Sequence, residues 1–215
     1  MGYVYISVDT NADATIFNLF SDSNNYDYIG LDVDGTTLDT YVNVAGSFTQ
    51  STGTNLSTSG WYHVAAVRSS ASLLTVYLDG ASDQTNTRSV TGRAAIARYN
   101  VGYWDVSFPL QLNGRVYNLK FWDTDLTQAE VVTEMNRIQP ITKLNNLNRF
   151  TPLMAGATER VKDYSGNKTN WTSNGTLTDE HPPPVSWGNS PILLPYTAAA
   201  SVSVNVPVAS LGMSG

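Results

Sequence analysis

Two carboxylates, two histidines and a scatter of aromatic rings are the residues of this chain whose types could support chemistry. Paired carboxylates can act as acid and nucleophile at a glycosidic bond. Asp32 and Asp34 stand two apart, on one face if the chain is extended there. Asp34, however, opens the turn signal Asp34-Gly35, and Asp32 alternates with apolar Leu31 and Val33, so turn and surface roles outweigh a catalytic pair. His63 lies inside a strand-like run, and as a general base it would need a serine nucleophile and an orienting carboxylate. His181 precedes three prolines. Two histidines this far apart do not make a zinc site, and no catalytic residue is assigned.

Sugar binding asks for an exposed aromatic platform beside amide and carboxylate groups. Tyr26, Tyr28, Tyr103 and Trp104 are the candidates, the last two within Tyr99-Asn100-Val101-Gly102-Tyr103-Trp104-Asp105. The competing and favoured reading is that these rings pack over the ends of the fold or into an interface. Asp22, Asp27, Asp123 and Asp125 offer hard oxygen ligands for calcium, but no spacing selects a set, and no metal or other cofactor is assigned. Asn55, Asn167, Asn170 and Asn174 each begin an Asn-x-Ser/Thr triplet, as chance would place them in an Asn- and Thr-rich chain.

The composition narrows the partners. The chain has 215 residues, 12 Lys and Arg, 18 Asp and Glu, and no Cys. A net charge of −6 without a basic run argues against nucleic acid and against an anionic membrane surface. Without cysteine there is no disulfide, thiol chemistry or Cys-based zinc site. Met1–Tyr5 carries neither a basic nor an apolar signal region, and no stretch is long and apolar enough to span a bilayer as a helix. A protein of this kind working outside a cell is therefore expected to travel by another route, such as a virus particle.

The elements that must position these residues are mostly strands. Tyr3–Val8, Thr15–Phe20, Tyr28–Val33, Leu38–Val44, Gly60–Arg68 and Leu73–Asp79 are short β-branched or aromatic runs, several alternating strictly and ending at Gly turns. Residues 81–113 are looser, and Gly114–Trp122 alternates, with Tyr117, Leu119 and Phe121 on one face. One helix is expected near 125–138. Thr127-Gln128-Ala129-Glu130 matches a capping box, Leu126, Val131, Met135 and Ile138 follow at helical spacing, and Pro140 ends it. Such a set of strands implies an all-β, two-sheet antiparallel jelly-roll sandwich.

Three pieces carry a resemblance: Trp61-Tyr62-His63-Val64-Ala65, the strand ending Tyr77-Leu78-Asp79-Gly80, and Gly114-Arg115-Val116 leading into Leu126-Thr127-Gln128-Ala129-Glu130. In this order and spacing the chain resembles the laminin-G-like, or concanavalin A-like lectin and glucanase, superfamily over roughly residues 14–135. The resemblance implies the sandwich, and makes calcium conceivable. The superfamily's Glu-x-Asp-x-x-Glu catalytic pattern is missing, which speaks against an enzyme. An Asp-x-Ser-Gly-Asn element, usual at the start of such domains, stands here at Asp163–Asn167. It either supplies a missing strand, in a permuted order, or forms a separate flap.

The organisation expected is a sandwich over 1–145, an Asn-, Thr- and Pro-rich extension over 146–190 that could complete it, and an extended arm over 191–215. The arm has no charged side chain, and Ser201–Val206 alternates. Leu193, Leu194, Val202, Val204 and Val206 are its apolar contacts, expected to order against another subunit or else to complete the chain's own sheet. The laminin-G-like domain, the Asp163–Asn167 element, His181-Pro182-Pro183 and this uncharged tail together look similar to structural proteins of bacterial viruses, and the signal-less start and absent cysteines point the same way. The function expected is a non-enzymatic virion subunit, capsid decoration or tail-associated, with other virion proteins and copies of itself as partners. A glycan-binding adhesin on an extracellular or cell surface is the alternative, and a glycan hydrolase or lyase the third.

Overall fold

The computed structural model describes residues 1–7, 14–31, 36–57, 59–93, 95–102, 112–153, 161–167, 170–171, 178–179 and 202–205. In chain order its elements are β1 (Gly2–Ile6), β2 (Ala14–Asp22), β3 (Asn25–Leu31), β4 (Thr37–Val44), β5 (Ser47–Asn55), β6 (Gly60–Ser70), β7 (Leu73–Leu78) and β8 (Ala81–Asn86). Then come β9 (Arg98–Val101), β10 (Asn113–Tyr117), β11 (Leu119–Trp122), α1 (Gln128–Met135), β12 (Leu147–Thr151), β13 (Thr178–Asp179) and β14 (Val202–Asn205). All strand pairs are antiparallel. One sheet runs β13-β14-β10-β1-β6-β7-β8, a second β5-β4-β3-β2-β9, and a third pairs β11 with β12.

Alternation decides what lies between the large sheets. Val4, Ile6, Val64, Val76 and Val116 from the seven-stranded sheet meet Ile16, Ile29, Leu31, Leu38 and Val101 from the five-stranded one. Ala65 and Val67 point the other way and join Met1, Leu126 and Val131, so α1 covers the outer face of the seven-stranded sheet. The helix starts where the capping box places it: the Thr127 hydroxyl accepts from the Glu130 amide, and Glu130 accepts from the Thr127 amide. It ends at Met135, so Ile138 lies beyond it.

Three findings differ from the sequence reading. The described residues of 81–102 include two strands, β8 and β9, and the polar run Ser47–Asn55 forms β5. Gly114–Trp122 is not one strand but breaks at Asn118, whose φ of 57° is left-handed. Asn tolerates that region, and its side-chain amide donates to the Arg137 carbonyl at 2.9 Å. The break shifts the side-chain phase: Tyr117 faces outward against Tyr3, while Leu119 and Phe121 face the inter-sheet core. Third, Asp163–Asn167 supplies no strand. It is a turn held on β12, where the Asp163 carboxylate accepts from the Phe150 and Ser165 amides and Asn167 donates to the Leu147 carbonyl. β12 itself is the added strand, and Leu153 and Trp171 join the main core.

Val202–Asn205 lies against β10 of its own chain, with Asn113 opposite Asn205 and Arg115 opposite Ser203. Within one chain this is the second of the two placements expected for the tail. Leu193, Leu194 and Val206 lie outside the described residues.

Candidate functional site

The face of the five-stranded sheet turned away from the core carries the largest set of polar and aromatic groups. Cross-strand register places Asn100, Asn18, Tyr28, Tyr41 and Gln50 in one row, with Arg98, Phe20, Tyr26, Asn43 and Phe48 beside it. The rings form a continuous track. Phe20 and Tyr26 stack with centroids 6.5 Å apart, Tyr28 meets Tyr41 at 5.3 Å, and Tyr41 meets Phe48 at 5.7 Å. The Arg98 guanidinium lies 3.9 Å from the centre of the Phe20 ring. Asp39 accepts from the Gln50 side chain and, at 3.4 Å, from the Tyr41 hydroxyl.

Most of this face is closed. Tyr28 is 1% exposed and Asn18 and Asp39 are 0%, Tyr41 and Arg98 are half-buried, and the face opens at β5, where Gln50 is exposed and Phe48 reaches 59%. The Tyr28 hydroxyl donates to the Leu31 carbonyl at 3.1 Å, and its ring lies over Gly30, where a Cβ would overlap both the ring and the Ala14 carbonyl. Tyr26 and Tyr28 are thus brought together as expected for a platform, but buried rather than open. Tyr103, Trp104, Asp32, Asp34 and His181 lie outside the described residues.

A cleft of about 510 Å³ opens at the rim between the sheets, lined by Phe17, Arg68, Tyr99, Phe121, Trp122 and Asp123 among others. Two of its charged groups are tied to neighbours. Arg68 donates to Asp27, which also receives Arg93 at 2.6 Å, and Asp123 accepts from Asn148 at 2.9 Å. Burial, with the Asp123 charge adding, raises the Tyr99 hydroxyl above its ordinary pKa, so it is a neutral donor.

Under α1 sits a buried ion pair. Lys120 Nζ lies 2.9 Å from Glu134 Oε2, with side-chain exposures of 1% and 0%. It also donates to the Glu134 and Arg137 carbonyls, while Glu134 Oε1 accepts the Ile141 and Thr142 amides. Burial alone would push the Glu134 carboxyl up. The Lys120 charge and these amides outweigh it and hold the carboxyl below its usual range. Burial pulls the Lys120 ammonium down against the attraction of Glu134. His63, 5.1 Å edge-on from Tyr3, is pulled down to about 3 by burial, with the Met1 amine and Lys120 adding, so it is neutral. Its Nδ1 has no hydrogen-bond partner, so no orienting carboxylate of the kind a general base requires holds it.

The four aspartates considered for calcium do not converge. Asp22 closes a turn on Asn24 and Asn25, Asp27 is held by two arginines, and Asp123 and Asp125 sit on the α1 approach. No group of three His, Asp or Glu side chains that could hold a metal occurs among the described residues. Sequence reasoning missed the Asp27–Arg68–Arg93 tie and the Lys120–Glu134 pair. The one available signal was a charged residue at an inward position of an apolar strand, as Asp27 is beside Tyr26, Tyr28 and Ile29.

A family model of the concanavalin A-like lectin/glucanases superfamily, of laminin-G type, matches residues 3–132. The chain belongs to that superfamily. The match runs from β1 into α1, and β12 and the Asp163 turn lie outside it. Among solved structures, the chain is similar to an S-layer domain-containing protein of Clostridium thermocellum ATCC 27405, at 21% identity and a TM-score of 0.29, covering 60% of this chain and 65% of that one. This chain therefore spans just under two thirds of that structure. No curated protein matches the chain. Among the described residues, no helix of this superfamily member is long and apolar enough to cross a membrane.

Proposed function

We propose that this concanavalin A-like sandwich is a non-catalytic structural module of a virus particle, a capsid-decoration or tail-associated subunit. It acts through contacts with other virion proteins and with copies of itself. The observation that carries the non-catalytic half is how the buried carboxylates are used. Asp27 is held by two arginines, Glu134 by Lys120 and two amides, Asp163 by its own turn, and Asp39 by Gln50. A glycosidase needs two carboxylates facing one cleft, one of them poised to give up a proton. Among the described residues, each buried carboxylate instead ties one element to another. The assembly half is supported by the uncharged run 181–215 and by the tail strand β14, which with β13 extends the sheet beyond β10.

A second reading, a glycan-binding module at an extracellular surface, is favoured by the ring track that surfaces at Phe48. The test separates the readings. A structural subunit is found at high copy in purified particles, shows no turnover on β-glucans or alginate, and leaves glycan arrays blank. Glycan binding by the isolated chain, lost in Phe48→Ala, would favour the second reading. Turnover abolished by Asp32→Ala or Asp34→Ala would overturn both.

A further inference from the structure

We infer that β14 pairs with the β10 edge of a second copy of this chain, in the register it takes on its own β10, and that this edge is where copies join. The inference rests on the assembly reading above and supplies the partner and the surface that reading leaves open.

The two ends of the seven-stranded sheet differ. At β8 the edge is fastened to the five-stranded sheet from within the body of the fold: Thr54 to Asp83, Gln84 to the Leu38 carbonyl, Asn86 to the Thr49 carbonyl. At β10 the edge is covered only by segments from far along the sequence, β14 and then β13. β14 meets β10 in three opposed pairs and β13 in two. Without β14, the backbone of Asn113–Arg115 would present open donors and acceptors, a template for any matching strand.

The connection is far longer than cis pairing needs. Neighbouring antiparallel strands are commonly joined by about 2–5 residues, whereas the stretch 180–201 separates β13 from β14. At ~3.3 Å per residue that stretch can reach up to roughly 70 Å, enough to arrive at a neighbouring copy. From His181 to Gly215 there is no charged side chain, so no like-charge repulsion disfavours a tail on another copy. Because the acceptor edge is the same in every copy, a reciprocal exchange preserves each pairing and closes with two-fold symmetry.

The absence of cysteine makes the test clean. Two full-length chains, one Arg115→Cys and the other Ser203→Cys, are refolded together and oxidised. Because Arg115 and Ser203 are directly opposed, a tail crossing between copies yields a covalent dimer of twice the chain mass, released by reduction. The expected result is that dimer from the mixture and little from either chain alone. A mixture that stays monomeric, while the doubly substituted chain closes on itself, overturns the inference. So does a dimer of equal yield from one variant alone, which marks random collision. Arg115 also lies over the Tyr5 ring, so Asn113→Cys with Asn205→Cys repeats the measurement without that contact. If neither pair crosses copies but deleting 191–215 still abolishes incorporation into particles, this acceptor is wrong and the assembly reading stands. If deletion leaves incorporation intact, the assembly role of the tail falls as well.

Discussion

Replacing Glu134 by Ala should be among the most damaging single changes available in this protein. It leaves the Lys120 ammonium, 1% exposed, with two carbonyls and no anion. Breaking a buried pair from one side costs about 3–5 kcal/mol. The Ile141 and Thr142 amides also lose their acceptor, but both are only part-buried and water can take its place, so the total stays within that range. Lys120→Met should cost less, because the carboxylate keeps its two amides. In Lys120→Met/Glu134→Gln the amide oxygen can still accept from Ile141 and Thr142 and no charge remains, so stability should return to within about 1–2 kcal/mol of the parent. Urea unfolding at neutral pH, followed by tryptophan fluorescence, measures Glu134→Ala and the cycle of parent, Lys120→Met, Glu134→Gln and their double variant. The pH dependence gives a second reading. The Glu134 carboxyl is held below its usual range, so its contribution is complete above the unfolded pKa and fades as pH falls through the lower folded one. Glu134→Gln should therefore unfold with a shallower acid dependence. A loss below 1 kcal/mol in Glu134→Ala, or a double variant as unstable as the two single losses summed, would refute the reasoning.

Other expectations follow from the same geometry. His63 takes up a proton in the unfolded chain near 6.5 but in the fold only near 3, so stability should rise with pH between those values by about 1.4 kcal/mol per unit; in His63→Asn that slope should be lost in pH-dependent unfolding. Gly30→Ala drives a methyl into the Tyr28 ring and the Ala14 carbonyl, and should lower stability by about 1–3 kcal/mol with a matching fall in melting temperature. Thr127→Ala removes the α1 cap and should cost about 1 kcal/mol; no change in the urea midpoint would show that packing of Val131 and Leu126 alone holds the helix.

The sandwich was legible wherever one face of a strand is buried and the other is not. Leu38–Val44 and Leu73–Asp79 alternate because their inward residues meet the opposite sheet. β5 was invisible for the converse reason: its residues are exposed or half-exposed on both faces, so no period of two is imposed on Ser47–Asn55. Asn118 was hidden by its neighbours. Tyr117, Leu119 and Phe121 are all large and apolar, so the pattern looks unbroken although the backbone changes phase between the first and second. The helix was readable to within a few residues because its cap is written in side chains that act locally. The candidate face was half readable. Tyr26 and Tyr28 were singled out, but Asn18, Asn43 and Asn100, drawn from three strands, become neighbours only once the sheet is formed. No local signal separates such an Asn from one in a turn.

The seam between β4 and β5 on one side and β8 with the residues just after it on the other bears on how this chain can diverge. Three of its bonds run from side chains on one side, Gln84, Asn86 and Arg88, to main-chain carbonyls of Leu38, Thr49 and Val44 on the other. A carbonyl is present whatever residue carries it. The accepting strands can therefore exchange exposed residues such as Thr49 without loosening the closure, whereas the donors cannot change without opening it. Relatives that keep this fastening should conserve an Asn or Gln pattern at 84 and 86, together with Gly53 and Thr54, which meet Asp83 from β5, so new surface chemistry can accumulate at other exposed β5 positions such as Ser47 and Thr52 at little cost to the fold.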